Sequence, residues 1–518
     1  MVKKSVIKKI EPLVLLIIDG WGIAPKGPGN AIGLAKTPNI NRLIRKYPNT
    51  RLHASGRYVG LPADQVGNSE AGHMNIGAGR VVEQDAVKIG RAINQGSFFR
   101  NPIFITALKH IKKYNSNLHL IGLLSDGQSA HSDPDHLLAL LTFAKMNNVK
   151  NVYLHLFLDG RDSTTHSSLK LVEALERSFK DEKIATLMGR FYAMDRKKNW
   201  KRTELAYNTM ILGRGKRAKS PQAAITESYN RGETDEFVPP YTITKNGKPV
   251  AIIKDNDAII FFNLRSDRAR QITKIFVQKN FEKMNKHSFK RKKILHNIIF
   301  AAMTNFGPDL GNVLTAYPND PIADTLPMLL ASYKQIYITE AEKYAHMTYF
   351  INGGYPDPVA NEVRVRIPSP DVKFYATTTK MSVGRVNKRA IQSLDTYNFV
   401  ALNFSGPDMI GHTGDLNASI KAVEFVDACV GKLEKEILKR NGILIITADH
   451  GNAEVMIHPK TQEICTMHTS NFVPFILVSR KLFKLKKKPG LLSDICPTIL
   501  ELFNIQRPNV ITGKSLIL

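Results

Sequence analysis

PLVLLIIDGWG, residues 12–22, carries six apolar residues in a row, Leu13 to Ile18, and then stops at an aspartate and a glycine. A strand with one wet face alternates apolar and polar residues, so an unbroken run reads as a strand buried on both faces, as in a parallel sheet covered by helices. The same pattern recurs in LHLIGLLSDG (118–127), NVYLHLFLDGRD (151–162), DAIIFFNLRSDRAR (257–270) and NGILIITADHGN (441–452). Helical spacing fills stretches between them, over residues 134–146 and 167–180. The fold class expected is α/β. In parallel sheets ligands bind beyond the carboxyl ends of the strands, which is where each of these runs turns polar.

The bulk properties narrow the function. At 518 residues the chain has room for two or three domains of roughly 150 residues each. Apolar residues make up 43% and charged residues 23%, ordinary for a globular protein. Cys429, Cys465 and Cys496 are too few and too scattered for a disulfide framework or a cysteine zinc site, which fits a reducing, cytoplasmic setting. The start, MVKKSVIKKIEPLVLLIIDGWG, has lysines before an apolar run, but the run is short and meets an aspartate instead of a small-residue cleavage site. No segment approaches the roughly 18 apolar residues of a membrane span. A formal net charge of +28 raises nucleic acid or a membrane surface as partners. Much of it lies in lysine-rich pieces, residues 282–293 and 484–488, and no helix-turn-helix, zinc-finger or RNA-recognition signature accompanies them. The expectation is a solvated basic surface, with neither nucleic acid nor membrane as partner; part of the charge can serve an anionic small substrate.

The polar strand ends fall into two chemical groups. Asp19, Ser69, Asp408, His412, Asp449, His450 and His468 lie toward the two ends of the chain; Arg161, Arg190, Arg196, Arg265 and Arg268 lie in its middle. The simplest arrangement is one domain interrupted by another: an outer metal-binding domain of residues 1–84 and 316–518, and an inserted anion-binding domain of residues 85–315. The turn-rich NFGPDLG (305–311) and AYPNDP (316–321) are the expected return linkers.

GPDMIGHTG (406–414) spaces Asp408 and His412 one helical turn apart, TADHGN (447–452) sets Asp449 and His450 side by side after a strand, and MHTSN (467–471) adds His468. Mixed carboxylate and imidazole donors suit manganese or zinc better than magnesium or calcium. Three aspartates and three histidines over-supply one ion, so two metals about 3.5–4 Å apart are expected, as in phosphoryl-transfer sites. GNSEAGHMNIGAGR (67–80) reads as a glycine-rich turn passing close to a phosphate, without the lysine of a Walker loop. Near two metals Ser69 becomes an alkoxide nucleophile. Five arginines, with Asp162 and Asp195 to orient them or to take substrate hydroxyls, suit a substrate bearing both phosphate and carboxylate.

These stretches, with FLDGRD (157–162), GRFYAMDR (189–196) and EKYAHMTYF (342–350), resemble in sequence and order the motifs of the cofactor-independent phosphoglycerate mutases, within the alkaline phosphatase superfamily. The resemblance covers essentially the whole chain. It implies a glycolytic isomerase that interconverts 3-phosphoglycerate and 2-phosphoglycerate through phosphoserine on Ser69, with two Mn2+ or other divalent metals and no 2,3-bisphosphoglycerate. It implies one metal on Asp408, His412 and His468 and the other on Asp19, Ser69, Asp449 and His450. His131, Arg161, Asp162, Arg190, Arg196, Arg265, Arg268 and Lys343 would bind substrate, with Lys343 beside the nucleophile. A monomer is implied. Departures from the family pattern are one extra residue before His131 in SDGQSAHSD (125–133), Ser266 in RSDRA, Lys197 after GRFYAMDR, and no paired glutamates after Gly353–Gly354. The alternatives are a metal-dependent phosphomonoester hydrolase of the same superfamily, which would not need to grip a carboxylate, and a phosphopentomutase.

Overall fold

The computed structural model describes residues 11–179, 182–307, 309–318 and 321–518. The lysine-rich start (residues 1–10), Lys180 at the end of one expected helix, and Pro308, Asn319 and Asp320 of the expected linkers lie outside the described residues. The chain forms two compact units, Met1–Gln84 with Asp320–Leu518, and Asp85–Asn319.

In the first unit the described strands form an eight-stranded sheet in the order Val363–Ile367, Gln335–Glu340, Phe399–Phe404, Leu13–Ile18, Ile443–Thr447, Val473–Val478, Asn49–His53 and Gly490–Leu491. The first five run parallel; Val473–Val478 is antiparallel to both its neighbours. Leu13–Ile18 lies between two parallel partners, and each of its six residues is buried in one continuous core. Its composition leaves no polar side chain for either face, so only a central position shields it.

The second unit carries a sheet in the order Leu314–Thr315, Ile299–Ala302, Ala258–Phe261, Leu118–Leu124, Val152–Leu158, Lys183–Gly189, Tyr241–Lys245 and Lys216–Ala218, with Lys248–Pro249 paired to Tyr241–Lys245. Alternate residues feed separate cores: Ala258 and Ile260 pack with Leu154 and Leu156, whereas Ile259 and Phe261 pack with Phe157 and Met188. A sheet with a core on each face is the three-layer arrangement that unbroken apolar strands call for. Helix Pro134–Met146 begins behind Asp133, which accepts the amide of Asp135; helix Ser168–Ser178 covers most of the other expected helical stretch. Ala316 and Tyr317, assigned from sequence to the outer domain, pack in the core of this unit, where Asn101 Nδ2 holds the Ala316 carbonyl at 2.9 Å.

The stretch around Ser69 departs from its sequence reading. Residues Ser69–Ala78 form a buried α-helix, not a turn, with Asn68 at its N-cap accepting the Ala71 amide at 2.9 Å. Its glycines serve close packing: a Cβ at Gly72 would stand 2.6 Å from the Asp449 carbonyl and 2.8 Å from the Asp449 Cβ. Glycine here allows the helix to lie against the strand end that bears Asp449 and His450.

Candidate active site

In the first unit four parallel strands end at one place. Leu13–Ile18 delivers Asp19, Phe399–Phe404 leads into the short helix Gly406–Gly411 with Asp408, Ile443–Thr447 delivers Asp449 and His450, and Gln335–Glu340 leads into the turn that carries Lys343. Gly20 makes the convergence possible. It has φ +73°, and a Cβ there would lie 2.8 Å from the Asp408 Cα, while the Asp408 amide donates to the Asp19 carbonyl at 3.1 Å.

Asp408, His412 and His468 come together as a triangle. Asp408 Oδ1 is 3.3 Å from His412 Nε2 and 3.2 Å from His468 Nε2, and the two nitrogens are 3.1 Å apart. Both rings commit Nδ1 to a backbone carbonyl, His412 to Thr466 and His468 to Gly67, each at 2.8 Å. With those protons on Nδ1, both Nε2 lone pairs aim at each other and at a carboxylate, an arrangement that repels itself unless a cation joins it. Donor atoms bound at 2.0–2.2 Å to one ion are separated by about 3.0–3.5 Å, so this triangle fits a metal.

Asp19, Ser69, Asp449 and His450 form the neighbouring cluster. Ser69 Oγ lies 2.9 Å from His450 Nε2 and 3.3 Å from Asp19 Oδ1; His450 Nε2 is 3.4 Å from Asp19 Oδ1 and 3.5 Å from Asp449 Oδ2. Lys343 Nζ stands among them, 2.7 Å from Asp19 Oδ1, 2.6 Å from Asp408 Oδ2 and 2.9 Å from Ser69 Oγ. All these side chains are buried. Burial alone would lower the lysine's pKa; Asp19, Asp408 and Asp449 outweigh it and raise it. Burial likewise disfavours the His450 imidazolium, yet Asp449, then Asp19 and Asp408, push it up to about 9. For Asp408, burial is outweighed first by the Lys343 ammonium, which holds the carboxyl well below the usual range. Three buried aspartates face one ammonium, so the set carries excess negative charge and suits divalent cations.

Two residues without an expected role complete this cluster. His73, one helical turn after Ser69, has Nδ1 2.8 Å from the Ser69 carbonyl and 3.2 Å from Asp449 Oδ2, while its Nε2 is 3.3 Å from Asn403 Nδ2. Asn403 Nδ2 also donates to Asp19 Oδ2 at 2.9 Å. The i, i+4 spacing of Ser69 and His73 puts both on one helix face, a relation that only the helix itself reveals.

The expected substrate residues of the second unit gather at its own strand ends. Arg190 Nη1 binds Asp159 Oδ1 at 2.5 Å and Asp162 Oδ2 at 2.7 Å; Asp159 also accepts the amides of Arg161 and Asp162. Arg196 Nη1 lies 2.6 Å from Asp267 Oδ2, and Arg265 Nε 3.2 Å from Asp267 Oδ1. Arg268 is half-buried, with Nη1 donating to the Met194 carbonyl at 3.3 Å; desolvation, then Arg196, Arg190 and Arg161, push its pKa down to about 9. It stays charged at neutral pH, and the part of the shift that comes from the neighbouring arginines is a crowding of like charge that an anion relieves. Asp195 orients Gln271 (2.8 Å) and Arg202 (3.3 Å). Despite the extra residue before it, His131 reaches this cluster: Ser129 Oγ accepts its amide at 3.2 Å and donates to Asp162 Oδ2 at 2.9 Å. Burial, then Arg190 and Arg265, hold its imidazole well below its ordinary pKa, so it is neutral. Lys343, expected to bind substrate from a place beside the nucleophile, lies in the first unit with Nζ 2.9 Å from Ser69 Oγ, among the carboxylates.

Comparison with known proteins places both units in known families. Residues 89–308 match the family model described as BPG-independent PGAM N-terminus, and residues 312–473 match that of type I phosphodiesterase / nucleotide pyrophosphatase. A protein of Moorella thermoacetica named 2,3-bisphosphoglycerate-independent phosphoglycerate mutase is 46% identical over 512 residues, 98% of each chain. Its namesake in Clostridium beijerinckii is 46% identical over 514 residues, 98% of this chain and 99% of its own. The crystal structure of Leishmania mexicana phosphoglycerate mutase at low cobalt concentration is similar with a TM-score of 0.92 and 29% identity, covering 99% of each chain. Similarity of this extent over both units leaves one conclusion: the chain belongs to the 2,3-bisphosphoglycerate-independent phosphoglycerate mutase family.

Proposed function

We propose that this chain is an isomerase that interconverts 3-phosphoglycerate and 2-phosphoglycerate by way of phosphoserine on Ser69, without 2,3-bisphosphoglycerate. The observation that carries the reading is the position of Ser69 Oγ, within 2.9 Å of both Lys343 Nζ and His450 Nε2 and at the first residue of a ten-residue helix. A hydroxyl so placed faces an ammonium, a cluster of metal donors and the positive end of a helix, all of which favour an incoming phosphoryl group.

Two divalent metals would be held by Asp408, His412 and His468, and by Asp19, Ser69, Asp449 and His450; the mixed oxygen and nitrogen donors favour manganese. Bound there, they would supply the Lewis acidity that ionises the serine hydroxyl. The remaining work falls to the chain's own groups. Arg161, Arg190, Arg196, Arg265 and Arg268 neutralise the carboxylate and phosphate of the glycerate, and Asp162 and neutral His131 orient it. Ser69 Oγ attacks phosphorus as the bond to the 3-oxygen breaks; the glycerate stays held, and its 2-oxygen takes the phosphoryl group back from the serine. The ammonium of Lys343 balances the charge on the phosphoryl oxygens in both transfers. On this reading the chain works in glycolysis and gluconeogenesis as a cytoplasmic monomer on a small-molecule substrate. Three buried free cysteines are in keeping with a reducing compartment. Among the described residues no helix is long and apolar enough to cross a membrane.

The test is an enolase-coupled assay on 3-phosphoglycerate, with manganese, then with chelator, and never with bisphosphoglycerate. Turnover that needs metal alone supports the mutase. Release of inorganic phosphate without 2-phosphoglycerate would make the chain a phosphomonoester hydrolase.

A further inference from the structure

Glu454 is buried just beyond the Asp449–His450 turn and touches none of the ligand atoms described above, yet its carboxylate is saturated by donors from three separate segments. Oε2 accepts the Gly22 amide at 3.0 Å and the Asn452 amide at 2.9 Å. Oε1 accepts the Thr469 hydroxyl and, at 3.0 Å, Asn471 Nδ2. Gly22 follows Asp19 on its turn, Asn452 follows Asp449 and His450 on theirs, and Thr469 follows His468. One carboxylate therefore ties together the three turns that present four of the proposed ligands. Through Asn452, whose Nδ2 donates to Asp408 Oδ1 at 3.2 Å, it also reaches the fourth ligand-bearing segment.

The surrounding backbone is shaped for this group. A Cβ at Gly22 would meet Glu454 Oε2 at 2.6 Å, and one at Gly451 would collide with the Glu454 carboxylate and the Thr469 hydroxyl. Two glycines open space for a single buried anion, a costly group to bury unless its lone pairs are filled, as they are here.

We infer that Glu454 is a positioning residue of the metal centre, fixing the mutual spacing of the Asp19, Asp449–His450 and His468 turns so that their donor atoms meet an ion. The inference rests on the two-metal reading given above. A glutamine in its place keeps the shape and one acceptor oxygen but turns an NH2 toward donors at the other end, so one of the two pairs of restraints is lost. Groups that orient metal ligands are typically worth 10–100-fold in metal affinity.

The experiment is a direct Mn2+ titration of the full chain, freed of metal with chelator, following free Mn2+ by electron paramagnetic resonance, for the parent and for Glu454→Gln. The Tm of each chelated protein and kcat at saturating Mn2+ are measured alongside. The expected result is a 10–100-fold rise in the Mn2+ concentration for half-saturation, with kcat at saturating metal within a few-fold of the parent. A variant that binds Mn2+ like the parent overturns the inference. So does one that loses kcat at every Mn2+ concentration without a shift in binding. If Glu454→Gln is poorly folded, Asn471→Ala removes one donor at the Oε1 end and leaves the carboxylate in place; it should weaken Mn2+ binding in the same direction, and unchanged binding also overturns the inference. A parent chain that takes up no Mn2+ sinks the two-metal reading itself, a result separable from the other outcomes.

Discussion

Lys343 lies in TEAEKYAH, a stretch in which composition alone makes it an unremarkable helix lysine, and no spacing rule singles it out. What gives it a role is the end of strand Gln335–Glu340, which leads into a tight turn and directs the side chain inward to two aspartates and the serine. Asp19, Asp408, Asp449 and His450 are readable in the sequence because each ends or follows an apolar run. His73, Asn403 and Glu454 are not, because a hydrogen-bonding partner is recognised by what it touches. A Lys343→Met variant isolates the ammonium. The buried carboxylates then lose their one lysine, and removing one partner of a buried ion pair typically costs about 3–5 kcal/mol. The metal-free variant should therefore melt well below the parent, and Mn2+ should recover most of the difference. With metal saturating, kcat should fall about 10²–10³-fold, as when a preorganised charge facing the transferred group is deleted. A kcat within threefold of the parent, measured in the enolase-coupled assay, would remove Lys343 from the chemistry.

At the scale of the element, apolar runs located the central strands but concealed what two of them carry. LHLIGLL and VYLHLFL each contain a histidine, and both are fully buried. His119 Nε2 lies 3.0 Å from Asp257 Oδ2, His119 Nδ1 2.9 Å from His155 Nε2, and His155 Nδ1 2.9 Å from Thr186 Oγ1, a polar chain crossing neighbouring strands of the second unit. Burial first, and His119 second, hold the His155 pKa well below its ordinary 6.5. A base with a depressed folded pKa binds fewer protons folded than unfolded, so stability is lost as pH falls below 6.5, by up to about 1.4 kcal/mol per unit for one group. His155→Gln, which keeps hydrogen-bonding capacity but cannot titrate, should flatten the fall in Tm between pH 6.5 and 5.5 whatever its stability at neutral pH. Parallel Tm-against-pH curves would show that the histidine does not charge on unfolding in that range. The helix at Ser69 is the opposite case. The four glycines at 67, 72, 77 and 79 read as a turn; the helix itself carries Gly72 and Gly77, and the close approach of Asp449 and of the Ile351 backbone explains why.

For the whole molecule, the separation of acids and imidazoles at the chain ends from arginines in the middle reflects an architecture in which each unit keeps its own sheet and gathers its polar groups at its own strand ends. The sorting was readable because catalytic metals and anionic substrates need different side chains. A division of the donors between the two proposed ions was not, since Asp19 and Asp408 share one lysine and stand close enough to serve neighbouring sites. Not all of the basic charge faces solvent: Arg291, in the lysine-rich stretch 282–293, is buried against Glu282 (3.1 Å) and the Ile275 carbonyl (3.0 Å) and holds structure together. The central step of the proposed function is a phosphoryl group that would leave the glycerate and return to it by way of Ser69. The direct measurement is a rapid acid quench after mixing the Mn2+-loaded chain with 32P-labelled 3-phosphoglycerate, followed by digestion and counting of the peptide that contains residue 69. Acid-stable label on that serine, absent from Ser69→Ala and from chelated protein, is the predicted result. Turnover without label on Ser69, or an active Ser69→Ala, would contradict it.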